Sequence, residues 1–180
     1  MSICGLDFGT SNTTLGTVER AAPVLAALEA EHTAIPSAIF YEADGGVRIG
    51  RRAIEAYVEG VPGRLLRSLK SVLGTSLIDE STRLGRERIS FRDVIAKYLA
   101  AVKRRAEQAA GRELRRVVHG RPVHFVDNAP DADRKAEDTF LAMRVLDASN
   151  RTPETAEMAA YWREQGVFNN LEPEHRLHRP

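Results

Sequence analysis

Apolar and polar positions follow two different periods along this chain. Residues 3–8, with Cys4 and Leu6 inside them, read as a buried strand. The small polar run Gly9-Thr10-Ser11-Asn12 is turn chemistry, and the β-branched stretch 13–18 is a second strand. Two strands joined this way predict a hairpin. Residues 23–30 fit either a strand or a short helix. Residues 35–41 read as one strand, with Pro36 near its start, where a missing donor is tolerated. Asp44-Gly45-Gly46 turns the chain into a short strand at 47–49.

The period then lengthens. Residues 51–59 predict a short helix with Ala53, Ile54, Tyr57 and Val58 on one side, broken by Pro62-Gly63. Leu65, Leu66, Leu69, Val72 and Leu73 fit helical spacing, and 75–88 is polar and irregular. The clearest element is 90–110, where Phe91, Val94, Ile95, Tyr98, Leu99 and Val102 recur at steps of three and four. Ser90 with Asp93 resembles a capping box, and Gly111 is a helix stop. A strand follows at 115–126, where Pro122 predicts an edge, a bulge or a bend. Asn128 and Pro130 open a helix running to about 148. Thr152-Pro153-Glu154 starts another, with Ala156, Ala159 and Trp162 sharing a face, and a loose polar tail begins at 169. Strands first, then helices alternating with strands, give an α/β class: a mixed sheet with flanking helices.

Composition narrows this little. One domain suits 180 residues, and 43% hydrophobic with 28% charged residues is ordinary for a globular protein. A net charge of +1 demands neither nucleic acid nor an anionic membrane as partner. The single cysteine, Cys4, excludes an internal disulfide and reads as a buried inert thiol. No signal peptide and no apolar stretch of spanning length is legible, so a cytoplasmic location is expected.

The segment 5–14 carries the chemistry. Asp7 stands near the end of a strand, Gly9 follows two positions later, and Thr10, Ser11 and Asn12 come next. Glycine lets the backbone turn tightly, and successive amides in such a turn make an anion-binding concavity. Asp7 would repel bare phosphate, so its useful role is to hold a magnesium ion through water. The bland alternative is a hairpin turn whose side chains satisfy local backbone groups. The other common phosphate-loop patterns are absent from the chain. Glu172, Glu174, His175 and His178 lack a second cluster to complete a metal shell. His119 and His124, five apart on a strand, face opposite sides. The basic run 112–116 lacks interleaved aromatics for nucleic acid and suits a helix end.

Asp7-Phe8-Gly9-Thr10-Ser11 resembles the first phosphate loop of the actin, sugar-kinase and heat-shock chaperone superfamily. The longer run GLDFGTSNTTLGTV resembles the seventy-kilodalton heat-shock family, especially its bacterial chaperone-like members. Four more segments match in order: Ile35-Pro36-Ser37, Ile49 to Ala53 (IGRRA), Lys70 to Gly74 (KSVLG), and Val117 to Phe125 (VVHGRPVHF). The resemblance implies an actin-like ATPase first lobe with ATP or ADP and Mg2+ as cofactors. By it, Asp7 holds the metal-bound water. Gly9, Thr10, Ser11 and Asn12 contact the phosphates, and Lys70 reaches the γ-phosphate and the attacking water. Pro122 matches a proline linked to interdomain signalling. Unfolded-protein clients and co-chaperones are the implied partners.

The chain departs from the family after the last of these segments. No second phosphate loop, adenosine loop or peptide-binding domain follows Phe125, and the resemblance is expected to stop near Phe140. The expected division is a truncated first lobe at 1–148 and a divergent tail at 149–180. Three readings follow: an ATP-binding chaperone-like half-site, weak or inactive alone; a non-enzymatic remnant or binding module; and a sugar or acyl kinase of the same superfamily. Lys70 and the GRPVHF segment speak against the third. A sheet left partly open also predicts self-association.

Overall fold

The computed structural model describes residues 3–84, 87–120, 129–136, 138 and 139. Two strands, β1 (Ile3–Phe8) and β2 (Asn12–Glu19), form the expected antiparallel hairpin, in register from Cys4 opposite Thr17 to Phe8 opposite Thr13. The ambiguous stretch after it resolves as a strand, β3 (Ala22–Leu25), which pairs with the outer half of β2. Next, β4 (Ala34–Pro36) pairs with the inner half of β2, opposite Asn12 to Thr14.

The single strand expected at 35–41 is two strands. The chain leaves the first sheet at Ser37 and enters a second as β5 (Ala38–Glu42), flanked by β6 (Val47–Ile49) and β7 (Gly63–Arg67). The helix read into Leu65–Leu73 is also corrected. Leu65 and Leu66 lie on β7, opposite Phe40 and Ile39. Gly63 allows that pairing, because a Cβ there would meet the Tyr41 carbonyl oxygen and the Phe40 ring at 2.6 Å. Ser68, at φ 57°, then turns the chain into a 3-10 turn, Leu69–Val72. The polar stretch 75–88 contains a second 3-10 turn, Ser76–Asp79, and most of a hairpin, β8 (Ser81–Leu84) with β9 (Glu87–Ser90).

Helix α1 (Arg51–Val58) sits where expected but buries Ala53 and Ala56. Tyr57 and Val58, read as part of the inner face, are 62% and 77% exposed. The alanines fit because α1 lies close against β5, where Ala38 and Phe40 complete a small separate core. Helix α2 (Phe91–Ala110) matches its sequence signals. The Ser90 hydroxyl accepts the Asp93 amide at 3.1 Å, and Gly111 closes the helix at φ 62°. The basic run after it does not cap the helix with side chains: Arg112 donates to the Val18 carbonyl at 3.4 Å and Arg115 pairs with Glu113. Helix α2 is the crossover that lets β10 (Arg116–Gly120) lie parallel to β1, Ile3 opposite Arg116. Residues 130–136 are helical, and Ala136 joins the main core. Residues 138 and 139 are helical too, whereas Pro122, His124, residue 137, residues 140–148 and the tail 149–180 lie outside the described residues.

The main core fills one face of the five-stranded sheet. Cys4, Leu6, Phe8 and Leu15 meet Val94, Ile95, Tyr98, Leu99 and Val102 of α2. The opposite face is bare among the described residues. Val18, Leu25 and Val118 are 55% to 61% exposed, around a floor where Gly5 lies opposite Gly16.

Candidate functional site

The β1–β2 turn stands at the C-terminal end of β1, beside the Ser37 crossing between the two sheets. Three hydrogen bonds hold it. The Gly9 amide donates to the Asn12 carbonyl at 2.9 Å, closing the turn on itself. The Ser37 amide donates to the Ser11 carbonyl at 2.9 Å, and the Ser37 hydroxyl donates to the Gly9 carbonyl at 2.8 Å. The buried Thr13 hydroxyl shares a further bond with the Ser37 hydroxyl at 2.9 Å. Gly9 is required for space rather than for its dihedral angle: a Cβ there would overlap the Asn12 carbonyl oxygen.

With its carbonyls taken inward, the turn presents Thr10, Ser11 and Asn12 outward, all exposed. Among the described residues, the amides of Thr10 and Ser11 donate to no protein acceptor. This is the arrangement an anion-binding turn requires, with carbonyl oxygens tied back and donors facing solvent. Packing fixes it from below. The Tyr98 ring lies 5.9 Å from that of Phe8, and the Tyr98 hydroxyl donates to the Pro36 carbonyl at 3.0 Å, just before Ser37.

Lys70 arrives from the 3-10 turn after β7. Its ammonium is partly buried, and that burial holds its pKa below the ordinary lysine value, while the Asp7 carboxylate pulls the other way. Asp7 is therefore the charge that Lys70 feels. Its own position is exposed, on the rim of the turn. The structure thus sets Asp7 beside the Gly9–Asn12 turn and Lys70 within electrostatic reach of Asp7. Among the described residues no three His, Cys, Asp or Glu side chains gather into a metal cage. A divalent cation at Asp7 would rest on one carboxylate and complete its shell with water and phosphate oxygens, the habit of Mg2+.

Two residues that hold this site escaped the sequence reading. Ser37 lay within a quoted segment only as part of a strand; the signal was a hydroxyl directly after a proline at a strand break. Tyr98 was read as core, and its hydroxyl reaches the site's frame only because α2 crosses under the Pro36–Ser37 junction.

Comparison with known proteins gives no matching family model. The chain is similar to the chaperone protein DnaK of Halobacterium salinarum, 27% identical over 134 residues, 74% of this chain and 21% of the relative. It is also similar to the chaperone protein HscA homologs of Bordetella petrii and Azotobacter vinelandii. Each is 30% identical across 91% of this chain, which covers 28% and 29% of those relatives. The chain thus spans between a fifth and a third of the length of these three relatives. A match over 91% of 180 residues, about 164, runs past Phe140, so the similarity does not stop where the sequence reading placed its end. These similarities support the seventy-kilodalton heat-shock family, and the mixed sheet with its crossover helix fits a partial actin-like ATPase lobe. Among the described residues no helix is long and apolar enough to cross a membrane.

Proposed function

We propose that this chain is the phosphate-gripping first lobe of a chaperone-like ATPase of the seventy-kilodalton heat-shock type, occupying residues 1–148. The observation that carries the proposal is the turn itself. The Gly9 and Ser11 carbonyls accept from Ser37 and the Asn12 carbonyl accepts the Gly9 amide, the turn's outward donors lack protein partners among the described residues, and Asp7 beside it is in electrostatic reach of Lys70. In this reading the amides and hydroxyls of Thr10, Ser11 and Asn12 receive the β- and γ-phosphate oxygens of ATP or ADP. Lys70 neutralises charge on the terminal phosphoryl group, a role suited to a compact ammonium on a flexible stem. Asp7 orders water around Mg2+ and, through it, the phosphates. The bound Mg2+ would supply charge neutralisation on the phosphates. Nucleotide, unfolded-protein clients and co-chaperones are the proposed partners, and the cytoplasm the proposed setting.

One lobe supplies only part of a nucleotide site. Three missing hydrogen bonds at about 1.5 kcal/mol each weaken binding by over a thousandfold. Residues 1–180 alone are expected to bind MgATP weakly and to hydrolyse it slowly or not at all, the behaviour of a binding module. Titration calorimetry with Mg2+ checks this, and sub-micromolar affinity would contradict it. Phosphorus NMR line broadening of millimolar ATP tests the assignment itself. Broadening should centre on the terminal phosphates and disappear in Lys70→Ala and Asp7→Asn; equal broadening in both variants would remove the site.

The bare face of the first sheet gives a second expectation. Exposed Val18, Leu25 and Val118 on a sheet with a parallel pair favour association, since parallel sheets are normally covered on both sides. Sedimentation should show concentration-dependent self-association that Leu25→Glu reduces. A monomer at every concentration would refute it.

A further inference from the structure

A groove runs between α1 and the second half of α2, beside the segment that links β3 to β4. Two hollows of about 630 and 610 Å³ lie side by side there, with Arg52, Glu55, Arg105 and Gln108 lining both. Six cations and two carboxylates line it, a local excess of 6 − 2 = +4 in a chain whose total is +1.

Four of these six cations have partners in the fold. Glu29 accepts Arg51 through its amide at 3.0 Å and its guanidinium at 2.9 Å, and accepts Arg105 at 3.2 Å. Arg48 pairs with Glu42 at 2.7 Å. Lys97 lies 5.4 Å from the centre of the Tyr41 ring. Arg52 and Arg104 remain, one on each helix. Both are exposed, and among the described residues neither forms an ion pair. Arg104 only adds to the field on Glu107, whose bonds go to Lys103 and the Leu114 amide.

We infer that this groove is a docking site for an extended acidic segment of a partner polypeptide. The cations are spread over two neighbouring hollows, more places than one compact anion can reach. Fixed guanidiniums along the groove suit carboxylates spaced on a peptide, because each offers a planar fork of donors. Leu28, Ala101 and Ala109 give an apolar floor for the peptide's carbon chain. His32 is the one ring in the lining, and no Phe, Tyr or Trp stands beside it, so the groove lacks the successive aromatic platforms on which nucleic-acid bases stack. Charge complementarity over a shallow groove gives fast, salt-sensitive and modest binding.

Fluorescence anisotropy with a labelled oligoglutamate peptide tests this on the whole chain. The peptide should bind, and weaken about tenfold or more when salt rises from about 50 to about 200 mM. An oligoglutamine peptide should not bind. The double variant Arg52→Glu, Arg104→Glu should lose peptide binding with an unchanged melting curve, because neither side chain holds a structural bond. Its effect on MgATP line broadening should be nil, which separates this groove from the phosphate turn. No peptide binding, equal binding by the double variant, or tighter binding of a labelled DNA duplex than of the peptide would each overturn the inference.

Discussion

Gly9→Val is expected to destabilise the fold by about 2 kcal/mol and to erase any phosphate response of the chain. The added Cβ falls on the Asn12 carbonyl oxygen, a backbone atom that cannot swing away as a side chain would. Relief requires opening the turn. That breaks the Gly9 amide bond to Asn12 and moves the Gly9 carbonyl off the Ser37 hydroxyl. The Ser37 hydroxyl is buried with Thr13, so a lost acceptor there costs its full desolvation. Gly5→Ala is the control. Gly5 lies on the same strand, and a Cβ there meets nothing within 4 Å. That variant should be neutral or slightly stabilising, because alanine restricts the unfolded chain more than glycine does. Urea denaturation of the two variants beside the parent decides the matter. Equal stability of Gly9→Val and Gly5→Ala would mean that the turn is not the tight, amide-presenting bend described above.

The same turn shows how much the sequence disclosed. Gly9 and its polar successors announced a turn, and flanking β-branched residues announced a hairpin, because both signals are local. Helix α2 was legible for the same reason, with its cap, apolar stripe and stop all inside the element. Ser37 was not legible. Its position is set by two sheets meeting, and one residue standing between the end of a strand in one sheet and the start of a strand in the next looks like a strand interior. Leu65 to Leu73 failed differently. A strand of five residues followed by a 3-10 turn places leucines at spacings that imitate a helix, and only the close pairing of Gly63 with β5 decides between them. Lys70 could be singled out by resemblance alone. Its approach to Asp7 depends on that turn after β7, which the residues around it do not reveal. Arg52 and Arg104 were invisible as a pair, since more than fifty positions separate them and only the packing of two helices brings them to one groove.

Raising the pH should unfold this protein through its buried tyrosines. Burial pushes the Tyr98 phenol from 10.0 up to about 12, with bonds from Thr13 and Ser37 opposing only part of that. The unfolded chain ionises near pH 10, whereas the folded chain holds the proton until about pH 12. Below pH 10 both states keep the proton and nothing is lost. Above it the unfolded state gains by ionising first, so stability falls with rising pH. For Tyr98 the loss reaches about 2 kcal/mol at pH 12. Tyr41, also raised to about 12 by burial and by the Asp93 carboxylate, adds to it. Tyr98→Phe separates the two. At neutral pH it should be about 1 kcal/mol less stable than the parent, since the Pro36 carbonyl loses its donor. At pH 12 the order should reverse, with the variant the more stable by about 1 kcal/mol, because it has no buried phenol to ionise. Urea midpoints measured at both ends of that range, with phenolate absorbance followed in parallel, test the crossing. Parallel pH profiles for parent and variant would show that Tyr98 is not sealed beneath the Pro36–Ser37 junction.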